Sequence, residues 1–263
     1  MSKSREFQPI SNPALFEASY ARNQLERNIG EMLLIERNLI HATAIECPEK
    51  RYMDAAPLRH RKDFGQFFTP PNVAHLMADW ITNTGAQKLL DPAFGTGVLS
   101  AACLVKNPEA KITAYEKDAC ILDYVPINLA EVIDIIPSDF LKSSVSCFYD
   151  GLIMNPPYIR HREINGYEKE RCEISVNSSC NIPKAANLYI YFAIKSLQNL
   201  KKGGRASFLI PFEWMSANFS ASFKKYILEK NLLSHIITFS NCSNIFDDAL
   251  TTASVLLLEK LYD

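Results

Sequence analysis

The 263-residue sequence contains no long apolar run and carries almost no net charge. Because no stretch of 18 consecutive apolar residues occurs, it offers no candidate membrane helix, and no signal-peptide pattern is recognisable. The 28 Lys and Arg residues are balanced by 29 Asp and Glu residues, giving a net charge of −1. This balance excludes the overall positive field of a protein that grips nucleic acid over many phosphates. We expect a soluble, cytoplasmic protein, not associated with a membrane.

Paired cysteines are also absent. The seven cysteines are an odd number, none forms a C-x-x-C pair, and several lie in apolar segments. This pattern argues against a disulfide framework and against zinc. We predict reduced thiols and no metal site. At 48% hydrophobic residues, the chain is able to bury one α/β core.

The most informative motif is Asn155-Pro156-Pro157-Tyr158, which follows the apolar run 151–154. Each proline lacks an N–H and has φ held at about −65°, so the chain leaves the sheet ladder and its carbonyl groups are fixed in direction. The Asn155 side-chain oxygen and the Pro156 carbonyl can accept both hydrogens of one amine, while Tyr158 stacks on a flat ring. The motif indicates a pocket for an amine-bearing base. The alternative interpretation is an ordinary proline-rich turn with a surface tyrosine.

Three acidic residues follow three successive predicted strands upstream of this motif. The stretch 88–100 predicts a strand ending at Asp91, a Gly-x-Gly turn, and a helix whose first N–H groups are free for a ligand. A second strand ends at Glu116, about twenty residues after the glycines, where an acid can bind ribose hydroxyls. The third acid is Asp139, followed by the aromatic Phe140. Each acid alone fits a solvated strand end, but the series indicates a nucleotide-type cofactor site.

A fourth motif, the stretch 65–71, precedes a helix that we predict over 72–82. Local chemistry favours Thr69 as the N-cap and Pro70 as the first helical residue.

These four motifs, in this order, resemble those of the N6-adenine DNA methyltransferases that use S-adenosylmethionine and place the N-terminal cofactor motif first. The resemblance covers roughly residues 60–260. It implies that Glu116 accepts hydrogen bonds from the cofactor ribose and Asp139 from the cofactor adenine amine. The cofactor-binding residues that it implies are Phe68, Thr69, Pro70, Asp91, Phe94, Gly95, Gly97, Glu116, Asp139 and Phe140. The target adenine would be bound by Asn155, Pro156, Pro157 and Tyr158, with Phe246 beside the flipped base.

The remaining sequence predicts an α/β sheet with helices on both faces, because strand-like and helix-like segments alternate. Helices are predicted at 188–200 and 223–229, and strands at 205–211, 234–239 and 253–258. The resemblance implies a doubly wound, Rossmann-like class I methyltransferase sheet with seven strands, the last of them antiparallel.

Residues 1–62 are predicted as an N-terminal helical extension, and residues 63–263 as the catalytic domain. Apolar residues at helical spacing between positions 25 and 40 predict one amphipathic helix of about 20–25 residues. The family commonly carries a target-recognition domain after its last strand, and we predict none in this chain. Recognition would then come from a longer form of the protein, from a separate specificity chain, or from the polar stretch 159–186. We predict that this stretch is a loop over the substrate pocket.

Two basic segments, at 51–62 and at 160–162, are either solvated or in contact with phosphates. We favour DNA contact for Arg160 and Arg162, because they follow the amine-binding motif directly.

The leading hypothesis is a DNA adenine N6-methyltransferase of a restriction–modification or phage-defence system, acting on double-stranded DNA. The alternatives are a methyltransferase for release-factor glutamine or for the N2 amine of guanine in ribosomal RNA, and a cofactor-binding subunit of a larger complex. The families of the first two alternatives share the Asn155–Tyr158 motif. They usually lack the Phe-Phe-Thr-Pro motif found here at 67–70 and the Asp-Pro-Ala-Phe sequence found here at 91–94.

Overall fold

The structure is a computed structural model that describes residues 47–146, 148–239 and 252–261. The amphipathic helix predicted between positions 25 and 40 lies outside these ranges, as does Phe246.

The described residues contain a seven-stranded sheet with the order β3-β2-β1-β4-β5-β7-β6. Only β7 is antiparallel to its neighbours, β5 and β6, which confirms the predicted architecture. The strands are β1 (Lys88–Asp91), β2 (Lys111–Tyr115), β3 (Asp134–Ile136), β4 (Tyr149–Met154), β5 (Leu200–Pro211), β6 (Leu233–Thr238) and β7 (Ala253–Glu259).

Nine α-helices occur in the part of the chain that the structure describes. They are α1 (Pro48–Ala55), α2 (Leu58–Asp63), α3 (Pro71–Thr82), α4 (Val98–Lys106), α5 (Ala119–Leu122), α6 (Ile127–Ala130), α7 (Glu168–Ser178), α8 (Leu188–Asn199) and α9 (Ala221–Glu229). None of these helices combines the length and the apolar character needed to cross a bilayer.

Strand β4 shows that helices cover both faces of the sheet. A Cβ atom added to Gly151 would lie 3.5 Å from Ile81 of α3. The next residue, Leu152, belongs to the buried cluster that includes Ile190 and Ile194 of α8. Since successive residues of a strand point to opposite faces, α3 and α8 lie on opposite sides of the sheet.

Two local predictions differ from the structure. Helix α3 begins at Pro71, its N-cap is Pro70, and no side chain caps it. The prediction of Thr69 as the N-cap was therefore wrong, because the Thr69 hydroxyl bonds to Asn155 instead. The stretch 159–186 is also not a loop throughout, since it contains the 11-residue helix α7.

Part of the predicted N-terminal extension packs on the sheet domain. Tyr52 of α1 is 1% exposed, and its hydroxyl donates to Asp118, which follows β2. All described residues belong to one compact unit. The predicted boundary between residues 62 and 63 therefore does not separate two compact units in the described part of the chain.

Candidate active site

A cleft lies beyond the carboxyl ends of β1, β2, β3 and β4, with about 1010 Å³ of empty space that includes the open solvent at its mouth. The order of the strands changes direction between β1 and β4, and open α/β sheets bind ligands beside such a switch point. The fold therefore places the motifs that follow these four strands around one space.

Most of the predicted site residues line this cleft. Those that do are Phe68, Thr69, Phe94, Gly95, Glu116, Asp139, Phe140, Asn155 and Pro157. The residues that are predicted at the site but do not line the cleft are Pro70, Asp91, Gly97, Pro156, Tyr158, Arg160 and Arg162. The lining thus includes the two acids after β2 and β3 and the amide after β4.

The nitrogen and the oxygen of the Asn155 side-chain amide differ in their hydrogen bonding. Its Nδ2 donates to the Phe67 carbonyl at 2.6 Å and to Thr69 Oγ1 at 3.1 Å. Its Oδ1 is buried and has no hydrogen-bond partner among the described residues. Because the Phe67 carbonyl can only accept, it fixes the orientation of the amide and leaves Oδ1 as the acceptor. A buried acceptor without a donor is costly, so this atom marks a place for a ligand N–H.

The segment before α3 contacts the Asn155–Tyr158 turn through its backbone. Gly65 has φ of +62°, and its carbonyl accepts the Tyr158 N–H at 3.0 Å. A Cβ atom on Gly65 would lie 2.8 Å from the Tyr158 nitrogen and 2.8 Å from the Ile159 side chain. Glycine is therefore required here both by the backbone conformation and by the available space.

Tyr158 is half-buried at the edge of the site rather than in the lining of the cleft. Its hydroxyl donates to the Leu209 carbonyl at 3.3 Å, and its ring lies 5.0 Å from the Phe67 ring at an interplanar angle of 31°. Burial raises the pKa of the Tyr158 hydroxyl, which therefore stays protonated. These contacts hold the ring in place and leave it partly exposed for stacking.

Glu116 lies beyond β2 and accepts two backbone hydrogen bonds. Gly95 N–H donates to Oε2 at 2.7 Å, and Asp118 N–H donates to Oε1 at 2.8 Å. Burial raises the pKa of the Glu116 carboxyl, and these N–H donors act in the opposite direction. Because each carboxylate oxygen has a further acceptor site, Glu116 retains the capacity to bind two hydroxyl groups of a ligand.

Asp139 lies beyond β3, 8% exposed, and begins the short 3-10 helix Phe140–Lys142. Its Oδ1 accepts the Leu141 N–H at 3.0 Å. Its Oδ2 accepts the Tyr167 hydroxyl and lies 3.4 Å from Lys117 Nζ. Tyr167 and Lys117 also line the cleft, and no local sequence pattern pointed to either of them.

Asp91 and Gly97 shape the turn after β1 without reaching the cleft. Asp91 is fully buried and accepts hydrogen bonds from the Ser100 hydroxyl at 2.8 Å and the Ala93 N–H at 3.3 Å. Gly97 is the N-cap of α4 with φ of +91°, and a Cβ atom there would lie 2.7 Å from the Phe94 ring. Both residues support the turn from beneath, and their contact with the cofactor stays a prediction.

Asp118 connects α1 and α2 to the cleft and was not predicted as a site residue. Its buried Oδ2 accepts hydrogen bonds from Tyr52 Oη at 2.7 Å and Gln66 Nε2 at 2.8 Å, and it lies 2.8 Å from His60 Nε2. These three side chains all belong to residues 47–69, which we call the N-terminal clamp. His60, Asp118 and Cys120 are also close enough to share a metal ion, although donors already surround Asp118 Oδ2.

A comparison with known protein families gives a match over the segment that contains the Asn155–Tyr158 turn. Residues 113–246, more than half of the chain, match the Eco57I restriction-modification methylase family. The chain belongs to this family.

The family assignment agrees with a curated relative. The Type II methyltransferase M.AccI of Acinetobacter calcoaceticus is 37% identical over 212 residues, which are 80% of this chain and 39% of the relative. The chain thus spans well under half the length of M.AccI.

Solved structures confirm the fold. A protein from Vibrio vulnificus, assigned as the modification subunit of a type I restriction enzyme, has a TM-score of 0.61 and 18% identity, covering 84% of this chain and 49% of that one. A protein from Listeria monocytogenes, assigned as a class I S-adenosylmethionine-dependent methyltransferase, has a TM-score of 0.56 and 18% identity, covering 74% of this chain and 61% of that one. At these identities the likeness concerns the fold, which is that of class I methyltransferases.

Proposed function

We propose that this chain carries the catalytic site of an adenine-specific DNA methyltransferase of a restriction–modification system. It would transfer a methyl group from S-adenosylmethionine to the N6 amine of an adenine that is flipped out of double-stranded DNA. The observation that carries this proposal is the buried Oδ1 of Asn155, a residue of the cleft lining, for which the described part of the chain provides no donor. An amine donor of the substrate would satisfy it. Family membership makes DNA the favoured source of that amine.

The other walls of the cleft fit the cofactor. Glu116 and Asp139 lie at adjacent strand ends, as ribose and adenine acceptors require, and both line the cleft. Phe140 is 2% exposed and packs at the same end. Phe68 and Thr69 line the cleft together with Asn155, where the methionine portion would lie. These residues would hold S-adenosylmethionine between the acids and the amide.

The chemistry that we assign to the chain is alignment and electrostatic stabilisation. S-adenosylmethionine supplies a methyl group on a sulfonium, so no covalent enzyme intermediate is needed. The lone pair of the target amine is delocalised into the base, which makes the nitrogen a poor nucleophile. By accepting its two hydrogens, Asn155 Oδ1 and the Pro156 carbonyl would favour a pyramidal nitrogen and stabilise its developing charge. An N–C bond would form as the S–C bond breaks, the electrons of the broken bond would stay on sulfur in S-adenosylhomocysteine, and one amine proton would pass to water.

The partner in this proposal is double-stranded DNA, and the cellular location is the cytoplasm. Arg160 and Arg162 are exposed directly after the catalytic turn, where phosphates of a bound duplex would pass. Sequence recognition would come from residues 159–186, from a longer form of the protein, or from a separate specificity chain.

The test is transfer of a labelled methyl group to genomic DNA, with RNA and release-factor protein assayed in parallel and the DNA digested to nucleosides. We expect label in N6-methyladenine from DNA. Asn155→Ala should lower the transfer rate by about a hundredfold or more. Cofactor affinity should change much less, because Asn155 would bind the substrate amine directly and reaches the cofactor wall only through the Phe67 carbonyl and Thr69.

Asn107→Ala is the matched control, because Asn107 also donates its amide to a backbone carbonyl, that of Ala86, but lies outside the cleft lining. It should leave the rate per folded molecule unchanged. Label in RNA, in protein or in guanine would contradict DNA adenine as the substrate and identify the labelled molecule as the substrate instead. Bound cofactor without transfer to any substrate would instead favour a cofactor-binding subunit of a larger complex. Loss of cofactor binding in Asn155→Ala would place the turn in the cofactor site.

A further inference from the structure

Tyr167 joins the segment after the catalytic turn to the opposite end of the cleft. It lies immediately before α7, is 8% exposed and lines the cleft, and its hydroxyl donates to Asp139 Oδ2. Lys117 Nζ donates to the same hydroxyl at 2.7 Å and lies 5.1 Å from the centre of the Tyr167 ring. The segment 159–186 therefore places the buried Tyr167 hydroxyl beside Asp139, the acid that follows β3.

The direction of these hydrogen bonds is determined by the chemistry of the partners. A lysine ammonium group has donors and no acceptor, so the Tyr167 oxygen must accept from Lys117. The single hydroxyl hydrogen is then free to point at Asp139 Oδ2, while the Leu141 N–H donates to Oδ1. Both Asp139 oxygens are thereby held as acceptors, and the residue lines the cleft.

We propose that Tyr167 is a positioning residue that, together with Lys117, fixes Asp139 as an acceptor. The cleft is thereby selective for a ligand whose nucleobase carries an exocyclic amine. This inference rests on the cofactor assignment in the proposed function and extends it to a residue of the β4–α8 connection. A ligand with an amine at that position gains a hydrogen bond to Asp139. A ligand with a carbonyl oxygen there brings two acceptors together and is rejected.

The test compares two ligands that differ at this position and at the neighbouring ring nitrogen, which carries a hydrogen only in the second ligand. S-adenosylhomocysteine carries the amine, and its inosine counterpart carries a carbonyl oxygen. The dissociation constants of both are measured by calorimetry for the full chain and its variants. We expect the unchanged chain to prefer the amine ligand by about tenfold or more.

Tyr167→Phe should keep the ring in the lining but lower this preference by about threefold to tenfold. Tyr226→Phe is the matched control, because Tyr226 of α9 is also 8% exposed and does not line the cleft. Its preference should equal that of the unchanged chain. The ratio of the two constants distinguishes positioning from a general structural role, which would weaken both ligands equally.

Lys117→Met gives a second, independent variant and covers the case in which Tyr167→Phe fails to fold. Without the ammonium donor the Tyr167 hydroxyl is free to turn away from Asp139. The preference of Lys117→Met for the amine ligand should therefore be lower than that of the unchanged chain. The double variant should lose no more preference than Tyr167→Phe alone, because both changes break one chain of hydrogen bonds.

An unchanged preference in Tyr167→Phe, or additive losses in the double variant, would overturn the inference and leave the proposed function standing. If the unchanged chain bound neither ligand, the cofactor assignment itself would fail, and the inference with it.

Discussion

At the scale of the residue, Asp91 is a buried carboxyl group beneath the turn that forms one wall of the cleft. Burial raises its pKa to about 7, while the hydrogen bonds from Ser100 and Ala93 act in the opposite direction. The raised pKa means that the folded protein holds the Asp91 proton more tightly than the unfolded chain does. Stability should therefore depend on pH at this position.

We predict that Asp91→Asn removes part of the pH dependence of folding. The unfolded pKa is about 3.9, so the stabilisation from protonated Asp91 is fully present below about pH 4. It is lost as the pH rises through about 7. Between pH 5 and 8, the free energy of unfolding of the unchanged chain should fall by about 3 kcal/mol relative to Asp91→Asn.

Urea unfolding at several pH values measures this difference. The Glu116 carboxyl, whose pKa is also raised by burial, is present in both proteins, so its own titration cancels in the comparison apart from its charge interaction with Asp91. Stability curves that run parallel for the two proteins between pH 5 and 8 would contradict the assignment.

At the scale of the element, the N-terminal clamp forms one side of the cleft and contacts the catalytic turn through Gly65. We predict that Gly65→Ala is more destabilising than Gly166→Ala, although both glycines have positive φ, +62° and +75°. Each change incurs about 1–2 kcal/mol of backbone strain. Only Gly65 also brings a Cβ to 2.8 Å from Tyr158 and Ile159, whereas a Cβ on Gly166 would meet no atom of the described residues within 4 Å beyond its chain neighbours.

The two variants are compared by chemical unfolding and by methyl transfer. Gly65→Ala should lose both stability and activity, because the catalytic turn must shift to make room. Equal losses in the two variants would show that backbone strain alone accounts for the effect and that the contact at Gly65 is unimportant.

The clamp is also held by Asp118, and Asp118→Asn should loosen it. The change removes the negative charge that Tyr52 and Gln66 donate to, and hydrogen bonds to a charged group contribute about 1.5–3 kcal/mol. We expect faster amide exchange at residues 47–66 and faster dissociation of S-adenosylhomocysteine. Asp123→Asn, an exposed position five residues further along, is the control and should change neither rate. Unchanged exchange in Asp118→Asn would mean that apolar packing alone holds the clamp.

Elements with strong local patterns were predictable from the sequence. The apolar runs before Asp91, Glu116 and Asn155 are strands, and the helix predicted at 188–200 is α8. Helix α7 was missed because only Ile174 and Ser178 of its 11 residues are buried, so it shows almost no apolar periodicity. Its sequence resembles that of a solvated loop.

Site residues that act through distant contacts were not predictable in this way. Asp118 meets Tyr52 and Gln66 across separations of 66 and 52 residues, and Tyr167 meets Asp139 across 28 residues. No local spacing encodes such pairs, because they arise only when the sheet brings the strand ends together. The predicted role of Asn155, in contrast, followed from two adjacent prolines and a neighbouring aromatic ring.

At the scale of the whole molecule, the net charge of −1 leaves little long-range attraction to DNA. Any attraction must come from a few local cations. We predict that the DNA affinity of this chain depends only weakly on salt concentration. In a plot of the logarithm of the binding constant against the logarithm of salt concentration, each contacted phosphate contributes a slope of about −0.9.

Arg160 and Arg162 are the exposed cations nearest in sequence to the catalytic turn. If both contact phosphates, the double change Arg160→Ala and Arg162→Ala should make the slope shallower by about 2. It should weaken binding to all DNA sequences alike, because phosphate contacts carry no base information. Lys169→Ala is the control within the same connection, since Lys169 is 81% exposed and pairs with Glu173 at 3.7 Å. A slope that changed equally in both variants would assign the effect to general charge. An unchanged slope in the double variant would place the DNA backbone elsewhere on the surface.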